Sequence, residues 1–181
     1  MTRALLVYES MFGNTRSIAE AVGDGLRSCL PTNLAEVGVA PTWIPEDVTL
    51  VVVGGPTHAL GLSRPQTRQD AATRTSGPLV SPEIGLREWL IALNTRDGVP
   101  AATFDTRIGK PRVPGSAARA AGRRLRRAGF RLVVPAKSFY VSEIPGPLLE
   151  GELDRAREWG EDLARQAQGM TEVKERVEGG A

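Results

Sequence analysis

The residues best suited to chemistry lie in one short stretch, Glu9-Ser10-Met11-Phe12-Gly13-Asn14-Thr15, between an apolar strand-like run and a helix-like one. A loop in that place aims backbone N–H groups and the positive end of a helix at one point, which makes an anion site. Ser10 and Thr15 add hydroxyls, Asn14 adds an amide, and Gly13 lets a ligand approach the backbone closely. The loop has no lysine of the kind a nucleotide-triphosphate loop uses, no dinucleotide fingerprint and no aspartate to hold a metal. A phosphate gripped by neutral donors alone suggests a mononucleotide. No Ser/His/Asp or Cys/His arrangement and no metal-ligand cluster is visible, so chemistry here falls to a bound cofactor.

The elements around the loop follow from hydrophobic pattern. Leu5-Leu6-Val7-Tyr8 reads as a strand covered on both faces. Ile18, Val22, Leu26 and Cys29 give the next segment a helical stripe, with Asn14 or Thr15 as its cap and Pro31 as its stop. Asn33 to Val37 is a weaker strand, and Asp47 to Gly55 is the clearest one. Arg64 to Pro82 is polar and aperiodic and is predicted to be a long loop. A helix is expected over Glu83 to Leu93, a short strand over Val99 to Phe104, and a helix capped by Ser116 with Ala118, Ala121, Leu125 and Ala128 facing inward. Arg131 to Ala136 is predicted as the next strand, and Leu149, Leu153, Ala156, Gly160 and Leu163 mark the last helix. Trp43, Trp89 and Trp159 are assigned to packing. Strands alternating with helices imply right-handed βαβ units and a parallel sheet.

Composition agrees. The 181 residues are 41% hydrophobic and 24% charged, within the range of one globular domain. We expect one domain over residues 1–168 and a disordered tail over 169–181. Cys29 is the single cysteine, so no internal disulfide is possible. With no signal-peptide core and no membrane-length apolar run, the cytoplasm is the expected location. The formal net charge is +2, but ten Arg or Lys and no carboxylate fall between Thr106 and Ser142. The plain reading of that block is a solvated helix face; the sharper one is a docking surface for an acidic partner or a polyanion. Nucleic acid is not an expected partner.

Ser10, Gly13 and Thr15 resemble the flavodoxin signature Ser-x-Thr-Gly-x-Thr, with Phe12 where that family usually has threonine. The loop is also similar to the Ser-Met-Tyr-Gly loop of the FMN-dependent quinone reductases of the same superfamily. Gly54-Gly55-Pro56-Thr57-His58-Ala59-Leu60-Gly61 resembles the second flavin loop, and Phe104-Asp105-Thr106-Arg107 stands where the third belongs. The resemblance implies a flavodoxin-like three-layer α/β/α sandwich with a five-stranded parallel sheet of order 2-1-3-4-5. It implies FMN as cofactor, with its phosphate on Ser10, Met11, Phe12, Gly13, Asn14 and Thr15. The ring would lie between Pro56, Thr57, His58, Ala59 and Gly61 on one side and Asp105, Thr106 and Arg107 on the other. Lys137 at a strand end is similar to the lysine of phosphoreceiver domains, but Gly54-Gly55 occupies the position their aspartate needs.

Neither ring loop carries the Trp or Tyr that flavodoxins usually stack on the flavin. His58, the only histidine, is either a ring beside the flavin or a loop residue without a role. Arg107, Lys110 and Arg112 in and behind the third loop, and Arg64 behind the second, favour an anionic reduced flavin, against which Asp105 could act. Three functions follow: an electron carrier between a reductase and an acceptor; an FMN-dependent oxidoreductase acting on a quinone or a porphyrinogen; or a flavin-free binding module. The partner is accordingly a redox protein or a small electron acceptor.

Overall fold

The computed structural model describes residues 2–95, 97–111 and 114–178, with side chains through Met170. β1 (Arg3–Tyr8) leads into α1 (Asn14–Arg27), then β2 (Thr32–Glu36) and β3 (Val48–Pro56). α2 (Pro65–Ala72), α3 (Leu86–Ala92), β4 (Pro100–Ile108) and α4 (Ala117–Arg127) follow, then β5 (Arg131–Leu132), β6 (Lys137–Val141) and α5 (Glu152–Glu178). All ladders are parallel, in the order β2-β1-β3-β4-β5, with β6 also on β4. β5 pairs with Pro100 and Ala101, and β6 with Phe104 to Ile108, so the two share one edge position. The fifth strand expected over Arg131 to Ala136 is therefore broken. Pro135, which has no N–H to give the ladder, sits in the break. Lys137 opens β6 rather than ending a strand.

Alternate residues of each strand enter opposite layers. Leu6, Leu50, Val52, Ala102 and Phe104 pack against α1 and α5, while Leu5, Val7, Val51, Val53 and Ala101 pack against α3 and α4. Burial on both faces explains the unbroken apolar runs of β1 and β3. On the α5 side, Phe104, Phe139 and Trp159 meet edge to face, with centroids 6.0–6.1 Å apart. Trp89 is buried as expected, but Trp43 is 61% exposed and packs little.

The segment 64–82 holds a helix where a loop was predicted. Pro65 stands at its first turn, and the Arg64 N–H donates to the Thr67 hydroxyl at 2.9 Å. Its buried residues are Arg68 and Ala71, so no apolar stripe announces it. α3 begins at Leu86 rather than Glu83, and α5 at Glu152, so Ile84 and Leu149 precede these helices and are partly exposed, as is Leu153 in the first turn of α5. α5 stays helical to Glu178, through much of the segment expected to be a disordered tail. α1 ends at Arg27, and Cys29 lies beyond it, exposed. No helix among the described residues is long and apolar enough to cross a membrane.

Candidate functional site

At the carboxyl edge of the sheet, where β1 and β3 send their chains to opposite faces, lies a cleft of about 350 Å³. Open parallel sheets bind ligands at such switch points. The cleft brings together Ser10, Met11, Phe12, Asn14, Thr15, Pro56, Thr57, His58, Ala59, Thr106 and Arg107. Of the expected site residues, Gly13, Gly61 and Asp105 do not line it. A second cleft of about 330 Å³ shares Met11, Phe12, Asn14 and Pro145 with the first.

The side-chain donors of the first loop are turned inward. The Ser10 hydroxyl accepts from the N–H groups of Gly13 at 3.1 Å and Arg16 at 3.3 Å. The hydroxyls of Thr15 and Thr106 are 2.7 Å apart, and Asn14 donates to the Pro145 carbonyl at 2.5 Å. Neither Asn14 nor Thr15 caps α1: its N-cap is Gly13, left-handed at φ 95°, where a side chain would be strained. The N–H groups of Met11, Phe12, Asn14 and Thr15 have no acceptor among the described residues. Two unpaired donors in the loop and two in the first turn of the 14-residue helix after it, beside a cleft, fit an anion such as a phosphate.

The second loop is a tight turn. His58 and Gly61 exchange both backbone hydrogen bonds at 2.8 and 2.9 Å, and Ala59 and Leu60 between them stand at φ 40° and 75°. Left-handed residues other than glycine carry strain. They are held from behind: Gly115, itself at φ 90°, leaves no room for a side chain against the Leu60 backbone, and Arg107 donates to the Gly115 carbonyl at 2.6 Å. Burial lowers the His58 imidazole below its ordinary value, Arg68 and Arg74 push the same way, and a bond to the backbone at Thr67 opposes them.

The third loop proves to be strand. β4 continues to Ile108, so Asp105, Thr106 and Arg107 lie in regular ladder positions. Alternation sends Asp105 into the interior, away from the cleft. Its Oδ2 accepts from Thr57 Oγ1 at 3.0 Å, Ser116 Oγ at 2.5 Å and the Ala118 N–H at 3.1 Å, while Oδ1 is buried and unpaired. Thr57 Oγ1 in turn accepts from the Ala117 N–H at 3.0 Å. Asp105 therefore joins the second loop to the N-terminus of α4 and does not face a ring in the cleft. Lys110 is exposed and does not line the cleft, and Arg112 lies outside the described residues.

Two walls escaped the sequence reading. One is α2, which contributes Thr67, Asp70 and Ala71, with Arg74 just beyond its end, and the other is Glu143, Ile144 and Pro145 after β6. Neither carries a motif; chain path alone brings them there. α2 is anchored by Arg68, 3% exposed, whose guanidinium donates to Ser63 Oγ at 2.9 Å, Glu88 Oε2 at 3.2 Å and the Glu83 carbonyl at 3.2 Å. Glu9 is buried beside it and accepts from the Leu86 N–H at 2.8 Å. Burial raises the Glu9 carboxyl above the usual range against the pull of Ser63, Leu86 and Arg68. The strand-like pair Ser10 and Ser81 then bonds the first loop to the segment after α2, at 2.8 and 3.1 Å. Among the described residues no group of acids, cysteines and histidine could hold a metal.

No known family model matches this chain, and no curated protein matches it in sequence. Its fold is nevertheless shared. A flavodoxin from the domain Archaea superposes with a TM-score of 0.63 at 19% identity, covering 92% of this chain and 99% of that one. Oxidised Flavodoxin 2 from Bacillus cereus gives 0.65 at 19% identity, covering 91% and 99%. The flavodoxin WrbA-like protein from Agrobacterium tumefaciens gives 0.58 at 19% identity, covering 93% and 99%. The sheet order, the two helical layers and these likenesses define a flavodoxin-like α/β fold.

Proposed function

We propose that residues 1–168 bind one FMN in this cleft and that the chain is a redox protein of the cytoplasm. The observation that carries the reading is the set of four unpaired N–H groups in the first loop and the first turn of α1, opening on a cleft that Thr57, His58, Thr106 and Arg107 also line. The single phosphate of a mononucleotide suits that loop. The Phe12 side chain and the inward hydroxyls leave the backbone as its main grip, strengthened by the helix end. Arg107 would stand beside the ring and favour added negative charge there. Bound flavin would supply one- and two-electron transfer; the chain would supply position and electrostatics.

A second reading, an oxidoreductase that reduces a quinone or oxidises a porphyrinogen, is favoured by the α2 wall. Asp70, Ala71 and Arg74 belong to no flavin loop, yet they face the same cleft and could border a small substrate.

Titrating the purified chain with FMN tests the common premise. Quenching of flavin fluorescence at one equivalent is expected, with FAD and riboflavin binding more weakly. No quenching would mean a flavin-free binding module. NAD(P)H-dependent turnover of a quinone without another protein would select the oxidoreductase over the carrier.

A further inference from the structure

α4 bears five arginines and no carboxylate, whereas α5, in the opposite layer, bears five carboxylates against three cations as far as Met170. The molecule is thus polarised across its sheet. On α4, Arg119, Arg123, Arg126 and Arg127 are exposed, and none of them has an ion-pair partner among the described residues. The basic field continues to the cleft. Arg87, in the first turn of α3, donates to the Leu62 and Ser63 carbonyls at 2.9 Å each, and burial together with the charges of Arg124 and Arg64 lowers its pKa. Three guanidinium groups therefore gather between the second loop, α3 and α4. The carboxylates near this face are buried, bound or remote: Glu9 and Asp105 lie in the interior behind it, Glu88 is bound to Arg68, Glu83 precedes α3, and Asp97 lies by Gly129 at the far end of α4.

The position matters as much as the charge. α3 and α4 both start at the carboxyl edge of the sheet, and the Ala117 N–H of α4 is bonded to Thr57 of the cleft. Leu60, 55% exposed at the tip of the strained turn, stands between the cleft and Gly115, one residue before the α4 cap. An apolar tip bordered by cations is the composition of a transient docking rim.

We propose that the face formed by Arg64, Arg87, Arg119, Arg123 and Arg124 docks an electron-transfer protein with an acidic surface around its own redox group. The inference rests on the flavin reading above and names the partner's chemistry. Charge complementarity would orient the pair with Leu60 and the cleft edge toward the partner's cofactor. In the exchange, a two-electron-reduced anionic flavin gives one electron to each of two ferric haems. It returns to the oxidised ring with loss of one proton to water.

The test uses the full chain loaded with FMN and reduced by dithionite. It is mixed in a stopped-flow instrument with an oxidised b-type cytochrome whose haem edge is acidic, or with a c-type cytochrome whose haem edge is basic. With the acidic cytochrome, the second-order rate constant should fall about tenfold or more from ~20 mM to ~500 mM salt, as screening shortens the reach of the charges. Arg119→Glu with Arg123→Glu should lower that rate at low salt about tenfold and raise the rate with the basic cytochrome. Arg119→Lys with Arg123→Lys should retain it. Both positions are exposed and outside the cleft, so FMN affinity and thermal stability should not change. A rate with the acidic cytochrome that ignores both salt and the charge reversal overturns the docking face while leaving the flavin reading intact. So does a DNA duplex bound at ~150 mM salt and lost in the reversal variant, with cytochrome rates unmoved, because the face is then a polyanion site. A chain that takes up no FMN overturns both.

Discussion

The hydroxyls of Thr15 and Thr106 meet 2.7 Å apart, buried, and so couple the first turn of α1 to the end of β4 across the floor of the cleft. Each is thereby committed to the protein. Thr15→Val should cost about 1 kcal/mol of stability, the worth of an ordinary hydrogen bond, and weaken FMN less than tenfold. Ser10→Ala should weaken FMN more, because it frees the Gly13 and Arg16 N–H groups that shape the loop. Fluorescence titration of the two variants checks the order. A larger loss at Thr15 would mean that its hydroxyl turns to the phosphate on binding.

Asp105→Asn tests the buried carboxylate behind the second loop. One amide oxygen cannot replace a charged acceptor for Thr57, Ser116 and the Ala118 N–H, and the new NH2 finds no partner there. Hydrogen bonds to charged groups are worth roughly 1.5–3 kcal/mol each, so a loss of about 2–3 kcal/mol is expected in urea unfolding.

Gly115→Ala should bend the turn over the cleft. The added methyl would meet the Leu60 carbonyl, and the residue would sit at φ 90°. A cost of about 1–3 kcal/mol follows from the backbone strain alone. FMN affinity should fall with it, while Gly98→Ala, at φ 79° but with open space around it, should cost stability and leave FMN affinity unchanged.

The depressed His58 gives stability a definite pH slope. The unfolded chain takes a proton near 6.5, before the folded chain does. The stability contributed by this group is therefore complete above 6.5 and is lost as pH falls below it toward the folded value. Urea midpoints measured across this window should decline in the wild type and decline less in His58→Gln.

Arg107 belongs to the cleft but is held by Gly115. A unit charge about 6 Å from the ring at an effective dielectric near 20 is worth roughly 2–3 kcal/mol before solvent discounts it. Asp105 faces away from the cleft and so offsets less of it than a carboxylate against the ring would. The second flavin reduction should thus be less negative than in acidic flavodoxins, and Arg107→Gln should make it more negative. Potentiometric titration of both proteins decides the matter; equal potentials would remove Arg107 from the ring's surroundings.

The sequence by itself determined the layers and the switch point. Val51, Val52 and Val53 are apolar without alternation because both faces of β3 are covered, and that pattern needs no partner to be read. Ser10 to Thr15 and Pro56 to Ala59 fall at the sheet edge because turn residues end those runs. The tertiary structure decided what those residues do. The hydroxyls of Ser10 and Thr15 looked like ligand donors, yet their partners lie across the fold or along the loop, where spacing says nothing. Asp105 looked like a loop residue until the length of β4 placed it in strand alternation, facing inward. α2 was illegible because its buried residues are only Arg68 and Ala71, and a helix held by one ion pair, a hydroxyl and a carbonyl leaves no apolar period to find.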